Sequence, residues 1–110
     1  MPCVNMDKTE NKMPAYVLAH IDVKDPVRYE DYKKMVPASI GKFGGRFLVR
    51  GAPAEVLEGS WQPKRLVLLE FPSVEVAREW WASEDYADAK ALRQATSNGD
   101  MIILDGFTPK

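Results

Sequence analysis

Two arginines stand four residues apart in the stretch GGRFLVRG, residues 44–51, inside a run that reads as a β-strand. Side chains alternate along a strand, so this spacing sends Arg46 and Arg50 to one face. Guanidinium groups on a covered sheet face require partners. A carboxylate partner would make a structural ion pair that sets register. A small anion would make the same arginines a binding fork. Parity places Glu70, of the run RLVLLEF, and His20, of YVLAHIDV, on the corresponding face of their own strands. Glu70 is therefore the expected counter-charge. His20, the only histidine of the chain, is the one side chain here suited to proton abstraction near neutral pH, or else a hydrogen-bonded structural group. Trp61, in the loop GSWQP, either covers the mouth of such a site or anchors its loop. The candidate set is thus His20 as catalytic base, with Arg46, Arg50, Glu70 and Trp61 as substrate-binding groups. One histidine and one cysteine do not build a zinc site, and no motif implies a cofactor.

These residues need a scaffold, and the hydrophobic periods supply one. Residues 16–23 alternate as a strand, with Val17, Ala19 and Ile21 on one face. Asp25-Pro26 is a strong helix start, combining a capping side chain with a proline where no amide is needed. Tyr29, Tyr32, Val36, Ile40 and Phe43 then form a helical stripe that ends at Gly44-Gly45. Pro37 is expected to kink or break that helix. In the second strand Phe47 and Val49 share the covered face, opposite Arg46, Leu48 and Arg50. A turn follows, and residues 56–58 could add a short hairpin strand. Residues 65–71 form the most apolar strand. Ser73 and Ser83 read as two successive caps, which divides the second helical region in two. Residues 101–105 close the series as a strand. Strand, helix, strand, strand, helix, strand is the ferredoxin-like α+β order, a βαββαβ sandwich on an antiparallel sheet.

Two helical regions cover one face of such a sheet. The other face carries Leu18, Leu48, Leu66 and Leu68 among polar residues, and burying each leucine stabilises by about 1.5–3 kcal/mol. A patch of that kind calls for a partner, and the simplest is a second copy across a two-fold axis. A homodimer through the open sheet faces, enclosing a cavity, is the expected assembly. A net charge of −1 provides no field for nucleic acid, and the open face of the third strand offers no aromatic platform for RNA bases. No apolar run is long enough to span a membrane. A single cysteine in a polar segment fits a cytoplasmic protein. Residues 1–12 lack periodicity and are expected to form a flexible leader before a single domain over residues 13–110.

The blocks GGRFLVRG, LEGSWQPKRLVLLEFPS and AREWWASEDYADAKALRQ resemble, in order and spacing, the small bacterial family called domain of unknown function 1330. The resemblance runs over about residues 13–107. It implies a dimeric α+β barrel built of ferredoxin-like protomers, and it implies no particular reaction. Relatives that share the barrel include cofactor-independent monooxygenases, lactone isomerases and haem-handling proteins. Two readings of function follow. The chain is a cofactor-independent enzyme acting on a small polar or anionic molecule in the barrel cavity, or it is a non-catalytic ligand-binding or assembly dimer.

Overall fold

A computed structural model describes residues 14–107. The leader expected over residues 1–12 lies outside them. The elements run β1 (Ala15–Val23), α1 (Pro26–Lys42), β2 (Arg46–Arg50), β3 (Arg65–Phe71), α2 (Val74–Ala82), α3 (Glu84–Thr96) and β4 (Ser97–Asp105). The strands form one antiparallel sheet in the order β2-β3-β1-β4, the ferredoxin-like arrangement that the pattern predicts. The sheet and one helical layer make a slab of 54 × 39 × 17 Å.

Each helix begins where its cap stands. Asp25 accepts from the amide of Arg28 at 3.2 Å, Ser73 from that of Val76 at 3.2 Å, and Ser83 from that of Tyr86 at 3.2 Å. Ser83 both ends α2 and starts α3, as the double cap required. The core lies between the helices and one sheet face. Val17, Ala19, Ile21, Val67, Leu69 and Phe71 meet Tyr29, Tyr32, Ile40, Trp80 and Tyr86 there, all buried. Trp80 stacks on Tyr86 at 4.1 Å between ring centroids and donates its indole N–H to Ser39 Oγ at 3.0 Å. Its neighbour Trp81 is exposed, with the Lys90 ammonium 3.7 Å from its ring.

Four sequence expectations change, the last of them the face on which Arg50 lies. Residues 56–58 form no strand; the connection from β2 to β3 is irregular throughout. β4 begins at Ser97 rather than at residue 101. Asn98-Gly99-Asp100 looks like a turn, yet it pairs with Asp22, Ile21 and His20 of β1. Gly99 permits this, because a Cβ there would fall on the carbonyl oxygen of His20.

The third change concerns Pro37, which neither breaks nor ends α1. A proline has no amide to give the carbonyl four residues earlier, here that of Lys33. Arg50 supplies the missing donor: its Nη2 donates to the Lys33 carbonyl oxygen at 2.7 Å. The guanidinium also lies 4.3 Å from the centre of the Phe47 ring.

Arg50 reaches the helix because β2 carries a β-bulge. Arg46 pairs with Glu70 and Phe47 with Leu69, but Val49 pairs with Leu68 and Arg50 with Val67. Leu48 is the extra residue, and it reverses the alternation after it. Val49 therefore joins the open face, where it and Leu48 are both exposed, and Arg50 joins the helical face. The two arginines lie on opposite sides of the sheet, contrary to the simple parity reading.

If Arg50 replaces the amide that Pro37 lacks, the two residues are energetically coupled. Arg50→Met should cost about 1–2 kcal/mol in urea unfolding, near the lower end for a hydrogen bond from a charged donor. With Pro37→Ala in place the amide returns, and the same arginine substitution should cost less than half as much. An equal cost in both backgrounds would remove the coupling.

A second expectation follows from the tyrosines under α1. The Tyr32 and Tyr86 hydroxyls lie 3.2 Å apart, and Arg93 Nε donates to Tyr86 at 3.2 Å. Burial, reinforced by Tyr86, pushes the Tyr32 phenol far above its ordinary value, and burial also raises Tyr29. A phenol whose folded-state pKa is raised contributes stability that is complete below its unfolded value, near 10, and is lost as pH climbs above it. Urea midpoints should therefore fall steeply above pH ~10. Tyr32→Phe should flatten that fall, and an unchanged slope would show that Tyr32 does not set it.

Candidate functional site

The open sheet face presents Tyr16, Leu18, His20 and Asp22 from β1, Leu66, Leu68 and Glu70 from β3, and Asp100, Ile102 and Leu104 from β4. Leu18, Leu66 and Leu68 are half-buried, whereas Ile102 is 49% and Leu104 42% exposed. The apolar patch is thus broader than the leucines suggested, since β4 adds two large side chains to it.

The charged candidates separate into three places. Arg46 donates through Nε to Glu70 Oε1 at 2.7 Å, so this part of the expected cluster forms on the open face. The Arg46 side chain is 69% exposed and that of Glu70 23%. Arg50 is occupied on the helical side. His20 pairs with Leu66 and Asp100, while Glu70 pairs with Tyr16, four residues back along β1. At ~3.4 Å per residue that puts His20 on the order of 13 Å from the ion pair along the strand. Within the chain, His20, Arg46, Arg50 and Glu70 do not converge.

A different group gathers around His20. The irregular connection before β3 folds back so that the Lys64 amide donates to His20 Nε2 at 2.9 Å. Trp61 meets the imidazole edge-on, with ring centroids 5.4 Å apart and planes at 78°. His20 and Trp61, with Leu18, Asp100 and Ile102, line a concavity of about 310 Å³ open to the sheet face. Asp22, two residues along β1, is held below the usual carboxylate range by its hydrogen bond to Lys24 at 3.0 Å.

This geometry changes what His20 can do. A ring nitrogen that accepts an amide proton carries none itself, so the proton of the neutral imidazole sits on Nδ1. The basic lone pair is spent on the backbone, and the free nitrogen is a donor. In this arrangement His20 is a latch for the Trp61 loop, and its second ring nitrogen is a hydrogen-bond donor. Sequence reasoning missed Asp100, because residues 98–100 resemble a turn and no alternation was assigned to them. Continuing the β4 parity backwards from Ile102 would have found it.

Other hollows lie on the helical side of the sheet. One, of about 20 Å³ beneath α1, is lined by Tyr29, Tyr32, Arg50 and Arg65 among apolar groups, and another, of about 110 Å³, by Val17, Ala77, Trp80, Trp81, Met101 and Ile103. The first is within the packed core, and the second holds no titratable group.

The model of a family described as a domain of unknown function, DUF1330, matches residues 14–107. The chain belongs to that family. No curated protein matches it. Among solved structures, a protein of unknown function from Rhodopseudomonas palustris, RPA0582, is similar with a TM-score of 0.73 at 19% identity, over 99% of this chain and 95% of that one. SnoaB, a cofactor-independent oxygenase from Streptomyces nogalater, is similar with a TM-score of 0.61 at 11% identity, over 88% of this chain and 96% of that one. A conserved protein from Methanosarcina mazei gives 0.55 at 13% identity, over 89% and 97%. At these identities the likeness is one of fold. No helix among the described residues is long and apolar enough to cross a membrane.

The latch can be checked directly. His20→Phe keeps an aromatic edge for Trp61 but gives the Lys64 amide no acceptor. Hydrogen exchange at Lys64 should rise at least tenfold, and unfolding stability should drop by about 1 kcal/mol. Unchanged exchange would show that the imidazole does not hold the loop.

Proposed function

We propose that the chain is a homodimeric small-molecule-binding protein, its two open sheet faces packed together over the His20 and Trp61 concavity. The observation that carries the ligand reading is the concavity itself, a recess of about 310 Å³ with an imidazole, an indole and a carboxylate on its walls. The dimer rests on the apolar face around it. Leu48, Ile102 and Leu104 lie exposed, and Leu18, Leu66 and Leu68 half-buried, on one side of a slab 17 Å thick. A second sheet laid on that face would bury them at a gain of about 1.5–3 kcal/mol for each large side chain fully covered.

Binding is favoured over catalysis by the state of the charged groups. Arg46 is paired with Glu70, Arg50 is committed to the Lys33 carbonyl, and the His20 lone pair accepts the Lys64 amide. The arginine fork for an anion therefore loses its support, and so does His20 as base. The alternative is a cofactor-independent enzyme. It draws on the fold shared with SnoaB, an oxygenase that needs no cofactor. In that reading the substrate would occupy the same recess.

Light scattering behind a sizing column should give twice the chain mass of 12.4 kDa. Ile102→Asp, on the open face and away from the core, should yield a folded monomer with an unchanged circular dichroism spectrum. A wild-type monomer at micromolar concentration would overturn the dimer, and a fully dimeric Ile102→Asp variant would move the interface elsewhere.

A further inference from the structure

We infer that Asp100 is the polar anchor of this concavity and that its ligand is an uncharged, hydroxyl-bearing molecule with a flat apolar body. The inference rests on the reading of the recess as a ligand site and gives that site its chemistry.

The lining determines the class. Leu18 and Ile102 are apolar, and Trp61 offers an indole that stands 56% exposed beside the imidazole. A flat ring satisfies these three walls. Beside the indole N–H of Trp61, a donor on a half-exposed ring, two groups on the sheet itself set the polar demands. Asp100 contributes a carboxylate that makes no ion pair among the described residues, so it needs a donor. His20 contributes an Nδ1–H, because its Nε2 is taken by Lys64, so it needs an acceptor. The two residues face each other directly across the β1–β4 ladder. One hydroxyl meets both needs at once, donating to Asp100 and accepting from His20.

Charged ligands fit less well. An anion would face the Asp100 carboxylate with no cation among the lining residues to offset it. Of the lysines nearby, Lys24 is engaged with Asp22 at 3.0 Å, and the charge of Lys64 also acts on Asp22, not on a lining residue of the recess. An ammonium could pair with Asp100, but it offers donors only and would set one against the Nδ1–H of His20. Flipping the ring to accept would break the latch to Lys64. A neutral hydroxyl is the group that leaves no donor or acceptor opposed.

The chain's single histidine makes the test unambiguous, since its imidazole proton resonances report this site without competition. Full-length protein is titrated with three probes of one shape: naphthol, naphthoate and naphthylmethylamine. Naphthol should shift the imidazole signals saturably, with an affinity at least tenfold above those of the carboxylate and the amine. Asp100→Asn should weaken naphthol about tenfold and narrow its lead over naphthoate, with the circular dichroism spectrum unchanged. A stronger response to naphthoate or to the amine overturns the ligand class while leaving the recess as a binding site. An Asp100→Asn variant that binds naphthol as well as wild type removes Asp100 as anchor. If no probe moves the imidazole signals, the reading of the recess as a ligand site falls along with this inference.

Discussion

A proline in the middle of the longest helix imposes the constraint from which much of this fold follows. α1 spans the sheet and contributes Tyr29, Tyr32, Val36 and Ile40 to the core, so it must stay continuous through Pro37. Continuity leaves the Lys33 carbonyl without its helical partner. The nearest strand supplies a guanidinium, and that requires Arg50 to lie on the helical side of the sheet. An unbroken strand would have sent it to the other side with Arg46. The bulge at Leu48 resolves the conflict by inserting one residue, which turns Arg50 inward and turns Leu48 and Val49 outward. One backbone irregularity thus repairs the helix and enlarges the apolar face opposite.

That face and the recess at its end are linked through the β2–β3 connection. The connection has no regular structure of its own, and its exit is fastened at two points, the Lys64 amide on His20 and the Trp61 indole against the same ring. A histidine at this position therefore holds the loop whose tryptophan walls the recess. The cost is chemical, since an imidazole that accepts from the backbone has no lone pair left for a substrate proton. The fold uses its one histidine to shape the recess, and among the described carboxylates of the open face Asp22 and Glu70 are paired while Asp100 makes no ion pair.

Much of this architecture was legible in the sequence, because its signals are local and periodic. The two-residue alternation of β1 and β3, the Asp25-Pro26 start and the Ser73 and Ser83 caps each specify their element without help from the rest of the chain. The Arg46–Glu70 pair was also legible, since it needs only parity on either side of one register. What was not legible depended on pairing between distant segments. The bulge at Leu48 leaves no mark in the composition of β2. The extension of β4 through Asn98, Gly99 and Asp100 is decided by β1, whose close approach at Gly99 makes a strand of three turn-forming residues. Pro37 was the missed clue: a proline inside an apolar helical stripe announces an orphan carbonyl, and an arginine on the adjacent strand is the natural donor.

The separation of the charged groups gives the two faces of one sheet different tasks in the proposed reading. On the helical side, Arg50 answers a backbone defect and takes no part in the open face. At the Tyr16 end of that face, Arg46 and Glu70 satisfy each other; an exposed ion pair of this kind is worth at most about 1 kcal/mol and chiefly removes two charges from competition. At the His20 end, the sheet leaves one carboxylate and one N–H unpaired beside an indole. Polar groups left unpaired at a water-exposed edge cost little while water serves them. Once a second sheet covers that edge, the same two groups need partners, and a ligand that brings both a donor and an acceptor becomes part of the closed assembly. In the proposed dimer, association and ligand binding would be coupled, each lowering the cost of the other.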